Sequence, residues 1–478
     1  VKRERWQSNF SEWFHDIIDK AEVTDYRYPI KGCGVWLPFG FKLRENILHV
    51  IRTLLNKTGH EEVLFPQMIT SDMLEKEAVH IESFKDQTFW ITHAGRRELK
   101  EKLALRPTSE TAIAPMLKLW IRSHADLPKK IYQIVSVFRY ETKATRPLIR
   151  IREVTTFKEA HTSHESHQAA EEQVKVAVEI YKQFFDQLCL PYVISKRPEW
   201  DKFAGAVYSI AFDTVFPDGR TLQIGTAHDL GQNFSKAFGI SFERENGTRD
   251  YVWQTSYGIS ERVIAAVIAI HGDDRGLVLP PSVAPIQIVV IPIPYKGSEE
   301  EIIEKSKEIA EKLKINGFRT QLDLREKLTP GSKYFEWELR GVPLRIEIGP
   351  RDLKEGTITL VRRDTLEKKP VKVDGVIEEA KIMLQNIEKN LKEQASAWLK
   401  NKIHDAESLE AAKVILEKES GIIELGWCGN DACGLKFEEK IDAKVLGTPA
   451  DGKKLSVKRK CPICGEEAKF IIRLAKTY

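Results

Sequence analysis

Four arginines, two lysines, three glutamates and a histidine share the stretch VFRYETKATRPLIRIREVTTFKEAH, from Val137 to His161. Read as a strand, FRYE sends Phe138 and Tyr140 to one face and Arg139 and Glu141 to the other, aiming a guanidinium and a carboxylate into one cleft. A planar guanidinium grips a phosphate or carboxylate through two parallel N–H bonds. The carboxylate beside it accepts from an amine. The following residues add Lys143, Arg146 and Arg150, then Arg152, Glu153, Glu159 and His161. This is a candidate cradle for a nucleotide polyphosphate. The same charges also suit a solvated hairpin.

A second cluster lies near the end of the chain. Four residues separate Cys428 from Cys433, and two separate Cys461 from Cys464. Two close pairs of this kind match a four-thiolate tetrahedral zinc site. Two disulfides would use the same thiols, but an intracellular chain disfavours them. Four thiolates leave no open position for a substrate, so the metal's role would be structural, contributing on the order of 10 kcal/mol to its local unit. Cys33 and Cys189 are scattered and read as small buried apolar residues. The run KKLSVKRK (453–460) reads as a solvated basic loop, with contact to RNA as the alternative.

These groups need elements to hold them. Residues 10–30 read as a helix, and 41–59 as an amphipathic helix with Ile47, Leu48, Ile51, Leu54 and Leu55 on one face and Gly59 at its end. EEVLFPQMI carries Pro66, which predicts a sheet edge or an interface. KIYQIVSVFRYE and REVTTFKEAH predict an antiparallel pair joined by the loop 142–149. Residues 168–188 predict a helix, 203–234 short strands, and GISERVIAAVIAIHG an apolar helix. Three prolines in GLVLPPSVAPIQ mark a linker. Beyond it, strands and helices alternate as a compact α/β unit of about 90 residues. A charged helical stretch, 376–418, leads into the cysteines.

The whole chain has 478 residues, enough for about two to four domains. It is 42% hydrophobic with no run long enough to span a bilayer, and its opening residues are too charged for a secretory signal. A soluble cytoplasmic protein is expected. A formal net charge of +4 excludes a global basic field, so any nucleic acid is met through local patches.

Several motifs carry a resemblance. FRYE with its loop and return strand resembles motif 2 of the class II aminoacyl-tRNA synthetases. Pro66 is similarly placed to motif 1, which builds a dimer interface, and SYGISERVIAAVIAIHG resembles motif 3, with Arg262 as its arginine. LRPTSET, LQIGTAHDLGQNFSKAF, HGDDRGLVLPP and GPRDL narrow the resemblance to the prolyl-tRNA synthetases, over nearly the whole chain. Fewer than 100 residues separate His161 from Gly258, which leaves no room for the editing domain of bacterial-type relatives. The cysteine tail and terminal Tyr478 resemble the archaeal and eukaryotic-like branch, in which that tyrosine docks near the active site.

The resemblance implies an α/β multidomain protein. A class II antiparallel-sheet catalytic domain is expected over 1–284, an α/β anticodon-binding domain over 285–375, and a small C-terminal zinc-binding α/β domain over 376–478. It implies ATP-dependent attachment of proline to tRNA(Pro) through prolyl-adenylate by a homodimer, with Mg2+ accompanying ATP and structural Zn2+ on Cys428, Cys433, Cys461 and Cys464. Arg139 and Arg262 are the implied catalytic residues. Arg139, Glu141, Arg150, Arg152, Gln223, Thr226, Ser260 and Arg262 would meet ATP, with Arg150 and Arg152 open to exchange of roles. Thr108, Glu110, Arg139, Phe157, Glu159, His161, His228, Ser256 and Gly258 would form the proline pocket. Phe157 stands where the family usually has tryptophan. His161 and His228 would also fit as hydrogen-bonded core histidines. Glu338, Arg345 and Arg351 would read the anticodon, though a surface ion pair would also explain the first two.

Two other functions fit part of this pattern. One is a threonyl or glycyl class II enzyme, which would lack LRPTSET at this distance from FRYE. The other is a non-catalytic, synthetase-like tRNA-binding protein. Such a protein tends to lose the phosphate-binding arginines, whereas Arg139, Glu141 and Arg262 are all present.

Overall fold

The computed structural model describes residues 2–76, 86–455 and 458–478. Its largest sheet has eleven strands among the described residues. From one edge the order is Ile403–Asp405, Ile422–Trp427, Phe470–Ala475, Lys444–Pro449, Val193–Lys196, Tyr208–Val215, Thr221–Gly231, Trp253–Ile259, Glu153–His164, Lys129–Phe138 and Glu61–Glu62. The central pairings are antiparallel, and both edge strands pair parallel to their neighbours.

Register decides what this sheet presents. Gln133 pairs with Glu159, Glu159 with Gly258, and Gly258 with Thr226. Two residues along, His161 pairs with Ser256 and Ser256 with His228. Cross-strand partners and residues two apart share a face, so these polar groups form two adjacent rows on one side. The intervening positions turn to the other side, where the helices His167–Gln187 and Arg262–His271 bury Tyr181, Phe184, Phe185 and every residue from Val263 to His271. Lys158 is on that side, fully buried, with Nζ donating to the Tyr181 hydroxyl at 2.9 Å and the Tyr257 carbonyl at 3.2 Å. Burial lowers its pKa to about 7. The N-terminal helices clamp the end of the second helix: Trp6 Nε1 donates to the Ala269 carbonyl and Trp13 Nε1 to that of Asp273.

A five-stranded sheet follows, ordered Thr320–Leu322, Ile288–Pro292, Leu344–Ile348, Thr357–Arg362 and Lys368–Lys372. The helices Glu299–Ile315 and Val376–Lys400 pack Ile302, Ile309, Leu313, Val376, Met383 and Ile387 against it. A three-stranded sheet of Met68–Thr70, Arg97–Leu105 and Phe89–Ala94 stands apart.

Several expectations need correction. The first long helix covers only Phe10–Lys20; Glu22 at φ 56 turns the chain, and Thr24–Asp25 is a strand. GISERVIAAVIAIHG divides, its first two residues completing the Trp253–Ile259 strand before the helix starts at Arg262. The stretch 376–418 is two helices, Val376–Lys400 and Leu409–Lys418, with a strand between. FRYE lies almost wholly past its strand, which ends at Phe138, so strand alternation does not orient Arg139 and Glu141. The turn does: the Arg139 N–H donates to the Arg152 carbonyl and that of Glu141 to the Arg139 carbonyl. Pro66 falls between two strands rather than inside one.

The proline segment is no loose tether. Leu277, Leu279 and Val283 are at most 1% exposed, and the Arg319 guanidinium binds the Pro281, Ser282 and Ala284 carbonyls. Beside it, Asp273 and Arg363 form a bidentate ion pair, both N–O distances 2.7 Å, with side chains only 3% and 1% exposed.

Candidate active site

The polar face of the large sheet opens into a cavity of about 310 Å³. Arg139, Arg150 and Arg262 converge on it. Arg139 Nε donates to the Pro107 carbonyl at 2.9 Å, and its guanidinium carbon sits 5.5 Å from the centre of the Phe157 ring. Arg262 Nε donates to the Ile149 carbonyl at 3.1 Å. Burial, and then the positive charges of Arg139 and Arg150, lower the Arg262 pKa to about 10. Burial likewise lowers that of Arg139, against the pull of Glu110, Glu141 and Glu159. Like charges crowded into a partly desolvated space cost free energy unless an anion joins them. The arrangement suits an anion.

Carboxylates occupy the neighbouring wall. Glu110 is 7% exposed and accepts from the Thr108 hydroxyl; Glu159 is 2% exposed. Glu159 Oε1 accepts from Gln133 Nε2 at 3.0 Å, and Oε2 meets His161 Nε2 at 3.1 Å. Burial opposes charge on Glu159, but the hydrogen bond and charge of His161, joined by hydrogen bonds from Ser109 and Gln133, outweigh it and hold its pKa below the ordinary carboxylate value. Burial also opposes charge on His161, and the Glu159 hydrogen bond with the fields of Glu110 and Glu159 raises its pKa nonetheless. His228 behaves oppositely. Burial, then His161 and Arg197, push its pKa down to about 3, leaving a neutral ring bonded to Ser209 Oγ at 2.7 Å and Thr226 Oγ1 at 3.1 Å. Two carboxylates beside a partly apolar wall suit a small cation.

Glu141, Gln223, Thr226, Ser256, Gly258 and Ser260 also line the cavity. Arg152 and His161 do not. Arg152 stacks on Tyr140 at 4.0 Å and donates to the Glu141 carbonyl, while His161 stands beneath Glu159. Sequence reasoning missed Gln133, Arg197 and Arg106. The signal for Gln133 was its amide inside the apolar run IYQIV. Its Oε1 accepts from the Phe65 N–H, and fully buried Arg106 binds the Phe65 and Pro66 carbonyls. Nothing in the sequence near Arg197 signals its position.

On the five-stranded sheet, Arg345 is 8% exposed and lies 4.1 Å over the Tyr334 ring. It binds Glu338 at 2.8 Å and Glu347 at 2.9 Å, and Arg275 also binds Glu338, at 2.7 Å. Burial opposes charge on Glu338, yet these two arginines keep its pKa low. The group is a semi-buried charge cluster rather than a surface pair. Arg351 stands apart with a 90% exposed side chain, paired with Glu355.

The four tail cysteines meet. Cys428 follows the Ile422–Trp427 strand and Cys433 lies in the Asp431–Ile441 helix. Ligand atoms of Cys428, Cys433, Cys461 and Cys464 lie within 4.8 Å of one another. Tetrahedral Zn–S bonds of about 2.3 Å place sulfurs about 3.8 Å apart, so the four thiols fit zinc with small adjustments. In the basic run, Lys453 pairs with Glu424 and Arg459 with Asp405, while residues 456 and 457 lie outside the described residues. Among the described residues no helix is long and apolar enough to cross a membrane.

Residues 89–271 match the family model of the tRNA synthetase class II core domain (G, H, P, S and T). Residues 287–382 match that of the anticodon binding domain, and 409–478 that of the prolyl-tRNA synthetase C-terminal region. Over the full length of both chains, this sequence is 54% identical to the proline--tRNA ligase of Pyrococcus abyssi and 53% identical to that of Thermococcus kodakarensis. A solved structure, Giardia lamblia prolyl-tRNA synthetase in complex with prolyl-adenylate, superposes with a TM-score of 0.95 at 36% identity, covering 99% of each chain.

Proposed function

Because the chain belongs to the prolyl-tRNA synthetases, we propose that the cavity bounded by Arg139, Arg150 and Arg262 is where proline and ATP meet. The protein is a ligase that attaches proline to tRNA through prolyl-adenylate. A proline carboxylate oxygen attacks the α-phosphorus, and the bond to the pyrophosphate oxygen breaks. A ribose hydroxyl of the tRNA's terminal adenosine then attacks the prolyl carbonyl, and AMP leaves.

The observation that carries the assignment is the crowding of three guanidiniums beside two buried carboxylates. Arg139 draws the proline carboxylate and α-phosphate together, offsetting the repulsion that keeps two anions apart. Arg150 and Arg262 hold the far end of the triphosphate; Mg2+ accompanying ATP would supply further charge neutralisation. Glu141 accepts from the adenine amino group. Gln223, Thr226 and Ser260 meet the ribose and phosphates. Thr108, Glu110 and Glu159 receive the proline ammonium against a wall of Phe157, His228, Ser256 and Gly258. His161 keeps Glu159 ionised from below, and Arg152 braces the turn that carries Glu141.

Around this centre, residues 1–284 carry the chemistry and 285–375 read the anticodon through Glu338 and Arg345, with Arg351 an outlying contact. Residues 376–478 hold zinc on the four cysteines. A homodimer forms across the Glu61–Glu62 edge, where Leu64 and Met68 are 81% and 55% exposed. Pyrophosphate–ATP exchange with each amino acid in turn tests the reading. Proline-dependent exchange is expected. Exchange with threonine or glycine alone, or none while tRNA still binds, refutes it.

A further inference from the structure

Arg197 follows directly on the Val193–Lys196 strand and lines the cavity, though the residue is only 8% exposed. Its Nη2 donates to Gln223 Oε1 at 2.9 Å and to Asp213 Oδ1 at 2.8 Å. Its Nη1 donates to the Leu446 carbonyl at 2.7 Å. Leu446 belongs to the Lys444–Pro449 strand of the cysteine-bearing unit, which pairs with Val193–Lys196 through Thr448 opposite Lys196 and Pro449 opposite Ser195. The join is tight. Gly447 sits at φ +111, and a Cβ there would meet the Lys196 carbonyl oxygen at 2.0 Å. Arg473, 1% exposed, adds a bond from Nη1 to the Ile194 carbonyl at 2.9 Å.

The chemistry of these partners is one-directional. A guanidinium only donates, so Gln223 must turn its amide oxygen to Arg197, and its NH2 is left to point elsewhere. Gln223 also lines the cavity, so a ligand there meets a donor rather than an acceptor. A ribose or phosphate oxygen matches that donor. Asp213, 1% exposed, shares Nη2 of Arg197 with Gln223 and so fixes the donor that holds the Gln223 amide oxygen.

We propose that Arg197 is a positioning residue for the nucleotide: it fixes the Gln223 amide with its NH2 toward ATP and anchors that orientation on the Leu446 carbonyl of the cysteine-bearing unit. The proposal rests on the reading of the cavity as the ATP site. The tail unit, on this account, supplies part of the scaffold of the nucleotide wall.

The test uses the full-length protein in proline-dependent pyrophosphate–ATP exchange. Wild-type protein without such exchange overturns the underlying reading. With wild type active, Arg197→Met is expected to raise KM for ATP about tenfold, as for one lost charge-assisted bond, while KM for proline stays within about twofold. Arg197→Lys is expected to recover part of the loss, since an ammonium still reaches one acceptor. Gln223→Ala is expected to raise KM for ATP alike, with Arg197→Met adding little on top of it, because a positioning residue has nothing left to position. If Arg197→Met does not fold, the same cycle is run with Arg197→Lys. An unchanged KM for ATP, a parallel rise for proline, or effects that multiply with Gln223→Ala would each overturn the proposal.

Discussion

Glu159→Gln removes one charge from the pocket and almost no volume. In the native protein both carboxylate oxygens are occupied, by Gln133 Nε2 at 3.0 Å and His161 Nε2 at 3.1 Å. A glutamine has one acceptor oxygen. If it keeps the Gln133 bond, its NH2 confronts His161 Nε2, which must then accept, and the protonated imidazole is excluded. The substrate ammonium meanwhile loses a carboxylate. A hydrogen bond to a charged group contributes about 1.5–3 kcal/mol, so KM for proline should rise roughly 10- to 100-fold with KM for ATP unchanged. Pyrophosphate exchange at varied proline, then at varied ATP, measures both. A rise for proline of less than about threefold, or an equal rise for ATP, would refute the assignment. Stability should follow pH with a definite sign. The lowered pKa of Glu159 stabilises the fold above the unfolded carboxylate value of about 4.3, and this is lost as pH falls through the folded value. The raised pKa of His161 stabilises fully below about 6.5, and this is lost as pH rises through the folded value. The margin of wild type over Glu159→Gln should therefore be widest between those two values.

Cys461→Ser should release zinc and loosen the tail while the first domain stays folded; a metal-free wild type with an unchanged melting profile would contradict this. Arg345→Ala should weaken charging of tRNA and spare prolyl-adenylate formation, because Arg345 stands outside the cavity; equal losses in both assays would indicate misfolding. Asp273→Ala should destabilise by about 3–5 kcal/mol in chemical denaturation, since it strands the Arg363 charge in the interior. Adding Arg363→Met should return much of that loss, and a single substitution costing under about 1 kcal/mol would show the pair to be solvated.

The sequence was most legible where period and punctuation agree. The helix from Pro38 to Lys57 and the alternation after Ile288 stand close to where their patterns put them. Cysteine spacing likewise anticipated the meeting of the four thiols. Legibility failed where tertiary pairing decides the outcome. Short strands such as Lys444–Pro449 have no pattern of their own and exist because a distant edge receives them. The proline segment has linker composition, but carbonyl bonds to Arg319 and the burial of Leu277 and Leu279 make it part of the core. At the site, motifs brought the arginines into view. Of the supports, Gln133 left only the faint mark of an amide in an apolar run, and Arg197 emerged only from its bond to the far end of the chain.

The sheet join between Val193–Lys196 and Lys444–Pro449 also has a consequence in time. During synthesis at about 5–20 residues per second, the older strand waits roughly 10 to 50 seconds for its partner to be made. Through that interval the half-built enzyme offers an open row of amide and carbonyl groups, the kind of border to which foreign strands add. Lys196, charged and exposed at the tip of that border, is the kind of residue that discourages such additions until the ribosome has passed Pro449.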